Sequence, residues 1–460
     1  MYKDYSLDDV KKSAEQKLFT VVSTFSGGGG SSTGYKMAGG DVKCVVEFQK
    51  IGIQTYLANY PNTKFFCKDI RKVTGEQILK RIKMESDDLD IFDGSPPCPP
   101  FSMSGSKRDG WNKTKKVYGF QQSNIEDLSF DVARLVGEIK PKVFICENVK
   151  GMTMDYAHDH FQTIMDAFVE HKYEVGWRVL NSKNYGVPQG RERVFIVGIR
   201  DDVYKTVTGN DLSPRYGKTN LFDEAKLGID NTTLEGIWPE KNEIIPTLRD
   251  TILDLKEDEE NIKEHEEIME QVKKSKNWKY LSKMKTDVEI EIDDSGREKG
   301  GYVALGETVR EEQIKEWHEL KKTDPFIKPL FCWKNKETGE LVYKMPKENR
   351  KEWKNLSFAK DSGFQVRRVS WDRPSHTLTE RGLQVGTTAH LHPGEHRGFT
   401  SIEAKKIMSL PSDFILTGNL NERLARIGLM VAPRQMEHLS RSIYEKVLLP
   451  YKEASNAKSI

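Results

Sequence analysis

The sequence predicts an α/β protein built on a doubly wound sheet, and three observations support this fold class. Short apolar runs rich in β-branched residues alternate with helix-like segments from about residue 18 to residue 200. The notable polar residues stand where these runs end, as expected for a sheet that binds ligands at the carboxyl ends of its strands. The composition, with 37% apolar and 31% charged residues, is typical of a folded protein with a charged surface.

Five apolar runs are predicted to form the strands. They are LFTVVSTF (18–25), VKCVVEF (42–48), LDIFDG (89–94), KVFICEN (142–148) and RVFIVGI (193–199). A further short strand is expected to end near Asp69, in FFCKDI. Between the third and fourth runs, five apolar residues recur at helical spacing, and Pro141 ends the predicted helix: Leu128, Val132, Leu135, Val136 and Ile139.

The alternation stops beyond about residue 204, which predicts an inserted or appended region. Residues 255–285 are a dense charge run, and we expect the solvated face of a helix there. Aromatic and basic residues interleave through 317–336. Apolar residues on one helical face near the end of the chain, between Met436 and Val447, predict a return to the first region.

Composition argues against several classes of protein. Five scattered cysteines without a C-x-x-C pair make a zinc cluster or a disulfide framework unlikely, and we expect no metal site. No apolar run approaches the length of a membrane span, and the first residues lack the apolar core of a secretory signal. We therefore expect a cytoplasmic protein; the net charge of +2 neither requires nor excludes a polyanionic partner.

The glycine-rich stretch TFSGGGGSSTGYKMAGG (24–40) follows a predicted strand and opens a predicted helix. Glycines allow the backbone to turn sharply and approach a ligand, although a flexible turn is an equally good interpretation of this stretch alone. Glu47 follows about 20 residues later, at the end of the next strand, where an acidic residue can hold a ribose. With Asp69 as an acceptor for an adenine amino group, these residues predict an adenosine-containing cofactor.

Cys98 lies inside SPPCPP, directly after an apolar run. The prolines fix the backbone and prevent a sheet or helix from continuing, which suits a side chain held out at a strand end. A nucleophilic thiol needs a lowered pKa or a partner, and the basic loop at 106–116 can contribute. A small buried cysteine is an equally good interpretation of this stretch alone.

Glu147 interrupts the apolar run FICENVKG and faces the same predicted crevice. A carboxylate beside an apolar strand needs a partner, so it either caps a helix or acts as a hydrogen-bonding acid at a heterocycle. Arg191 and Arg193 in VPQGRERVFIVG lie on one face of the next strand. Alternating arginines are often surface residues, but beside a thiol and a carboxylate they indicate an anion clamp.

These motifs, in this order, resemble those of the DNA (cytosine-5) methyltransferases. The similarity covers roughly residues 18–200 and 366–448, and rests on six quoted segments: FSGGGG, GSPPCPPFS, ENVKGM, QGRERVFIVGIR, RPSHTLTERG and HRGFTSIEAKKIMSLPSDF. The resemblance implies a Rossmann-like S-adenosylmethionine-dependent methyltransferase domain with a separate target-recognition domain. We expect catalytic and cofactor-binding residues in 1–203, the recognition domain in 204–427, and a returning C-terminal helix in 428–460.

The resemblance also implies a role for individual residues. Cys98 attacks C6 of a cytosine turned out of the duplex, Glu147 acts at N3, and C5 receives the methyl group. The implied catalytic residues are Cys98, Glu147, Arg191 and Arg193. The implied cofactor-binding residues are Phe25, Gly27, Gly29, Glu47, Phe48, Asp69, Ile70, Pro97 and Leu128. The implied DNA-binding residues are Ser102, Gln189 and Thr377.

Two residues depart from the family pattern. Pro99 follows the cysteine where the family usually has glutamine, and Leu429 stands in ARIGLMVAPRQ (425–435) where the family has asparagine, so no cofactor contact is carried over there. The expected partner is double-stranded DNA, with a separately acting restriction endonuclease in a bacterial or phage restriction–modification system. Two alternatives remain: an RNA cytosine-5 methyltransferase, disfavoured because the Cys-Phe-Thr tripeptide is missing, and a catalytically silent nucleic-acid-binding relative.

Overall fold

The computed structural model describes most of the chain in two compact units. The described residues are 2–97, 115–117, 120–122, 127–154, 157–212, 234–274, 278, 282, 286–287, 291–292, 298–299, 331–334, 341–344, 367–379 and 390–457. The first unit comprises Met1–Pro246 with Lys405–Ile460, and the second comprises Thr247–Ala404. The predicted functional division at residues 203 and 427 stays a prediction.

The described strands follow the chain in this order: β1 (Phe19–Thr24), β2 (Gly40–Val46), β3 (Lys64–Phe66), β4 (Ile91–Gly94), β5 (Lys115–Val117), β6 (Phe120–Gln122), β7 (Val143–Val149), β8 (Tyr173–Asn181), β9 (Gln189–Gly190), β10 (Glu192–Arg200), β11 (Glu291–Ile292), β12 (Glu298–Lys299), β13 (Phe331–Lys334), β14 (Leu341–Lys344), β15 (Arg367–Arg368), β16 (Ser375–His376) and β17 (His390–Leu391). The described helices are α1 (Leu7–Ala14), α2 (Gly30–Met37), α3 (Lys50–Asn59), α4 (Gly75–Ile82), α5 (Leu128–Ile139), α6 (His158–Val169), α7 (Asp201–Thr208), α8 (Leu248–Ile252), α9 (Glu259–Lys273), α10 (Ser401–Ile407), α11 (Leu420–Leu429), α12 (Pro433–Ile443) and α13 (Leu449–Ala457).

A seven-stranded sheet forms the centre of the first unit, in the order β3-β2-β1-β4-β7-β10-β8. The first five strands in this order run parallel, and β10 runs antiparallel to both β7 and β8. The order reverses direction between β1 and β4, so the loops that follow these two strands leave the same edge on opposite sides of a switch point. This mixed α/β sheet confirms the predicted fold class.

The predicted strands are confirmed, and one strand of the seven-stranded sheet was missed. All five apolar runs fall on β1, β2, β4, β7 and β10, and the short strand before Asp69 is β3. β8 (YEVGWRVLN) escaped the pattern because polar residues interrupt its apolar ones, as suits an edge strand that pairs with β10 alone.

Helix α5 has the predicted apolar spacing. Its five periodic residues from Leu128 to Ile139 are all buried, and the helix ends where Lys140 adopts a left-handed conformation (φ 53°) before Pro141. The buried face joins α4, α6 and one side of the sheet in a single apolar core. Phe144 of β7 stacks on Phe168 of α6 within it, at 4.1 Å between ring centroids. This core supports the strands from which the site residues extend.

The second unit contains a buried ion pair. Arg397 donates to both carboxylate oxygens of Glu403 at 2.8 Å, and the backbone N–H of Thr400 donates to the same carboxylate. Burial alone would raise the pKa of Glu403, but the hydrogen bonds and charge of Arg397 lower it to about 2. The charge run predicted as a solvated helix forms α9, although Glu264 on that helix is buried and accepts from Ser401.

Candidate active site

The glycine-rich loop lies between β1 and α2, at the carboxyl-terminal edge of the sheet. Phe25 (φ 55°), Gly27 (φ 53°) and Gly29 (φ 105°) adopt left-handed backbone conformations, which let the chain reverse before α2 begins at Gly30. The Gly27 N–H donates to Oε2 of Glu47 at 2.8 Å. A Cβ added at Gly27 would meet no atom within 4 Å, so one side of this turn has space for a ligand.

A C-terminal segment closes the other side of this loop. A Cβ at Gly30 would lie 2.8 Å from Cβ of Met430 and would also meet the carbonyl oxygen of Val431. A Cβ at Gly28 would lie 3.0 Å from Cδ of Arg426. The segment that departs from the family pattern therefore packs directly on the glycine loop.

Glu47 is a buried acid with backbone partners. Oε1 accepts from the Gln49 N–H at 2.7 Å, while Oε2 accepts from Gly27 as described above. Burial raises the pKa of Glu47, and these backbone hydrogen bonds oppose the shift. The carboxylate thus ties the end of β2 to the loop after β1.

The other predicted cofactor residues differ in exposure. Asp69 is bound to Arg71, with Oδ1 accepting from Nε at 2.9 Å and Oδ2 from Nη2 at 2.5 Å, and this pairing lowers the pKa of Asp69. Ile70 and Leu128 are buried, Pro97 is half-buried, and Phe48 remains 39% exposed. An aromatic ring exposed beyond the end of β2 is of the kind that stacks on flat ligands.

β7 and β10 form the side of the edge where the catalytic residues Glu147, Arg191 and Arg193 are predicted, the reaction side. Arg193 Nε pairs with Glu147 Oε1 at 3.0 Å, and the Glu147 side chain is only 10% exposed. The antiparallel register sets Phe195 opposite Glu147, so Arg193 reaches the carboxylate from the neighbouring strand. Next to this pair, Asn148 Nδ2 donates to the Pro96 carbonyl at 3.2 Å. This bond brings the segment that enters Cys98 against the end of β7.

Two further predicted residues are buried. Arg191 is 3% exposed, and its Nη1 donates to the carbonyl of Gly428 at 3.0 Å, so it anchors the same C-terminal segment. Gln189, predicted to contact DNA, is fully buried, and its Nε2 lies 3.9 Å from Sδ of Met408. Thr377 is half-buried in the second unit. Cys98 and Ser102 lie outside the described residues.

The sequence prediction missed Asn148 and Asp93. Asp93 is fully buried at the end of β4, where its Oδ2 accepts from the hydroxyl of Ser23 at 2.6 Å and of Ser31 at 3.1 Å. Burial raises the pKa of Asp93 to about 7. An acid inside the apolar run IFDG was the available signal, since such a residue is stable only with buried partners.

The described residues contain no helix long and apolar enough to cross a membrane. Within the same part of the chain, no three His, Cys, Asp or Glu side chains cluster in a way that could hold a metal ion.

Comparisons with known proteins agree with this arrangement. The Type II methyltransferase M.Sau96I of Staphylococcus aureus is 26% identical over 445 residues, which cover 96% of this chain and 80% of that protein. The Type II methyltransferase M.AquIA of Picosynechococcus sp. is 37% identical over 225 residues, covering 47% of this chain and 79% of that protein. A crystal structure described as a DNA modification methyltransferase encoded within an E. coli prophage shares the fold, with a TM-score of 0.53, 19% identity, and coverage of 94% of this chain and 99% of that one.

The family of C-5 cytosine-specific DNA methylases matches residues 19–445, which include every described residue of the sheet edge. The enzymes of this family use S-adenosylmethionine as methyl donor. The chain therefore belongs to the C-5 cytosine-specific DNA methylase family and is an S-adenosylmethionine-dependent DNA cytosine methyltransferase.

Proposed function

We propose that this enzyme methylates C5 of a cytosine turned out of duplex DNA, at one short target sequence, through a covalent bond between Cys98 and C6. The observation that carries the proposal is the junction of β4 and β7. There, the Glu147–Arg193 pair adjoins the hydrogen bond from Asn148 to the carbonyl of Pro96. Pro96 lies two residues before Cys98 in the sequence. A nucleophile and an acid on neighbouring strand ends suit addition to a heterocycle.

Glu147 has the environment that a proton-handling acid requires. Its burial against the β7 strand end excludes most water, and Arg193 fixes one carboxylate oxygen. The carboxylate lies at the strand end where the base is proposed to bind. In the proposed reaction Glu147 directs a proton to N3 of cytosine, which makes C6 electrophilic enough for attack by a thiolate.

Cys98 forms and later breaks the only covalent bond between enzyme and DNA. Its Sγ adds to C6 as N3 takes up the proton, so the electron pair of the C5–C6 double bond becomes available at C5. C5 then bonds to the methyl carbon while the bond from that carbon to the cofactor sulfur breaks, which leaves S-adenosylhomocysteine. After C5 carries the methyl group, loss of the C5 proton to solvent expels Sγ and restores the double bond, so the thiolate is regenerated. Arg191 and Arg193 support this half of the site, with Arg191 bound to Gly428.

Three features of the cofactor side support the binding of S-adenosylmethionine: an acidic side chain, an exposed aromatic ring and free volume beside the glycine turn. Glu47 is an acid at the ribose position, Phe48 offers an exposed ring, and the turn at Gly27 has free volume beside it. Phe25, Gly29, Ile70, Pro97 and Leu128 complete the proposed pocket, with Asp69 at the adenine. Bound S-adenosylmethionine supplies the methyl group as an electrophilic carbon on a positively charged sulfur.

DNA contacts are proposed for Ser102, Gln189 and Thr377, and target recognition for residues 204–427. The side chain of Gln189 is fully buried, so we expect it to act on DNA binding by holding the backbone near Arg191. The Type II names of the relatives support a place in a restriction–modification system with a separate endonuclease.

The decisive experiment incubates the purified protein with tritiated S-adenosylmethionine and unmethylated duplex DNA, beside a transfer-RNA control. The Cys98→Ser variant should lose labelling, whereas Cys67→Ser, which changes an exposed free cysteine that takes no part in the proposed reaction, should keep it. Bisulfite sequencing of the product should place the label in one short recurring sequence. Label in transfer RNA alone, or equal activity in Cys98→Ser, would overturn the proposal.

A further inference from the structure

A buried carboxyl that the proposed chemistry does not use lies at the end of β4. Asp93 pairs in register with Ser23 of β1, and one oxygen, Oδ2, accepts from both the Ser23 and the Ser31 hydroxyls. Ser31 lies in the first turn of α2, directly after the glycine loop. A single carboxylate oxygen therefore joins β1, β4 and the helix that follows the cofactor loop.

Both loops of the site leave from this point. The glycine loop begins after Thr24, whose hydroxyl donates to the Asp93 carbonyl at 3.0 Å. The other loop begins after Gly94 and runs through Pro96, which Asn148 holds. The placement of Asp93 thus sets how the cofactor loop lies relative to the segment that precedes Cys98.

Among the described residues, no Lys, Arg or His forms an ion pair with Asp93. The neighbouring titratable groups are the hydroxyls of Tyr35 on α2 and Tyr56 on α3, and the side chains of Cys146 and Glu147 on β7. Burial raises the pKa of Tyr35, Tyr56 and Cys146, so these three stay neutral at pH 7. Burial also raises the pKa of Asp93, against the hydrogen bonds from Ser23, Ser31 and Tyr35, to about 7. Its protonation state consequently changes close to neutral pH.

We propose that Asp93 is a positioning residue for methyl transfer, whose ionised carboxylate fixes the first turn of α2, and with it the cofactor loop, relative to the Cys98 segment. This inference rests on the proposed function, because it assumes that the two loops carry the cofactor and the nucleophile. Small displacements of reacting groups lower rates steeply, so a hydrogen bond that sets the separation of the two loops affects the chemical step as well as binding.

The two serines provide a matched test. Ser31→Ala removes the hydrogen bond from the first turn of α2 to Asp93, and should raise the KM for S-adenosylmethionine and lower kcat, each about tenfold. Ser23→Ala removes a bond to the same oxygen, but β1 and β4 remain joined by their parallel ladder. It should therefore leave both constants within about twofold of the parent enzyme. Equal effects of the two substitutions, or none from Ser31→Ala, would refute the inference.

The Asp93→Asn variant tests the charge. We expect kcat/KM of the parent enzyme to decline below about pH 7 as Asp93 is protonated. Asparagine has nearly the same shape and does not ionise, so the variant should show no such decline. Profiles of the same shape for both proteins would contradict the proposal. Titration calorimetry with S-adenosylhomocysteine measures the effect of Ser31→Ala without DNA. A normal cofactor affinity there defeats this inference alone, whereas DNA left unlabelled by the parent enzyme defeats the proposed function.

Discussion

Two parts of the sheet edge hold their buried acids in different ways: the predicted cofactor side, at the ends of β1 and β2, and the predicted reaction side, at β7 and β10. On the cofactor side, Glu47 accepts from the backbone N–H groups of Gly27 and Gln49. On the reaction side, Glu147 pairs with the side chain of Arg193 from an adjacent antiparallel strand. One acid depends on the conformation of a loop, and the other depends on a charged neighbour.

This difference indicates what each side requires of the sequence. The cofactor side needs residues that adopt left-handed φ angles and leave room for close packing, hence the glycines between β1 and α2. The reaction side needs two strands in a particular register, because a shift by one residue would turn Arg193 to the other face of the sheet. Substitutions on the two sides should therefore fail in different ways.

The largest effect is expected on the reaction side. Glu147→Gln removes the acid but keeps its size, and should lower kcat by about 10²–10⁴-fold while the KM for S-adenosylmethionine stays nearly constant. Labelling kinetics with tritiated cofactor measure both constants. Glu192→Gln is the control, since Glu192 is a 44% exposed acid of β10 paired with Lys150 and should retain activity. If Glu147→Gln also raised the cofactor KM, then the reaction side would contribute to cofactor binding, and the two sides would not act independently.

The strand between the two sides should give the next largest effect, in stability. Folding raises the pKa of Asp93 from 3.8 to about 7, so the folded state favours the protonated carboxyl. Its contribution to stability is complete below about pH 4 and is lost as the pH rises towards 7. Because asparagine does not titrate, the unfolding free energy of Asp93→Asn should rise relative to that of the parent by about 2–3 kcal/mol as the pH increases from 5 to 8. Urea unfolding of both proteins at the two pH values tests this; an unchanged difference would contradict it.

On the cofactor side, Gly30→Ala should act through packing. Its Cβ would meet Met430 and Val431, which should cost about 1–3 kcal/mol of unfolding free energy and raise the cofactor KM about tenfold. Gly236→Ala provides the control, since a Cβ there meets no atom within 4 Å. Thermal unfolding and initial rates distinguish the two variants. A loss of kcat without a change in the cofactor KM would show that Gly30 affects the reaction side instead of cofactor binding.

The smallest effect is expected at Asp69. Its pairing with Arg71 is partly exposed to solvent, where ion pairs stabilise by only about 0–1 kcal/mol. Asp69→Asn should raise the cofactor KM about two- to fivefold and leave kcat unchanged. Asp202→Asn breaks a similar pair with Arg200, at 2.6 Å, outside the proposed pocket, and should leave the KM unaltered. Equal changes of the cofactor KM in both variants would show that Asp69 makes no specific contribution to cofactor binding.

Local patterns were sufficient to predict much of the fold and the identity of the site. The apolar runs of β1, β2, β4, β7 and β10 and the periodic face of α5 carry their own signal, because each is buried on a face that its spacing reveals. The order of the glycine, Pro-Cys and Glu-Asn-Val motifs was enough to predict the family, which the family match to residues 19–445 confirms. The roles assigned to individual residues stay predictions.

Only the tertiary structure decided which residues meet. Ser23 and Asp93 are 70 residues apart, and Arg191 and Gly428 are 237 apart, so neither contact has a local signature. The burial of Gln189 and the packing of Met430 on Gly30 likewise depend on elements brought together from distant parts of the chain. The sequence by itself determined the strands, α5 and the chemistry at their ends, since these follow from short-range periodicity and residue type. The partners of Asp93 and Glu147 follow from long-range packing, which no short stretch of sequence encodes.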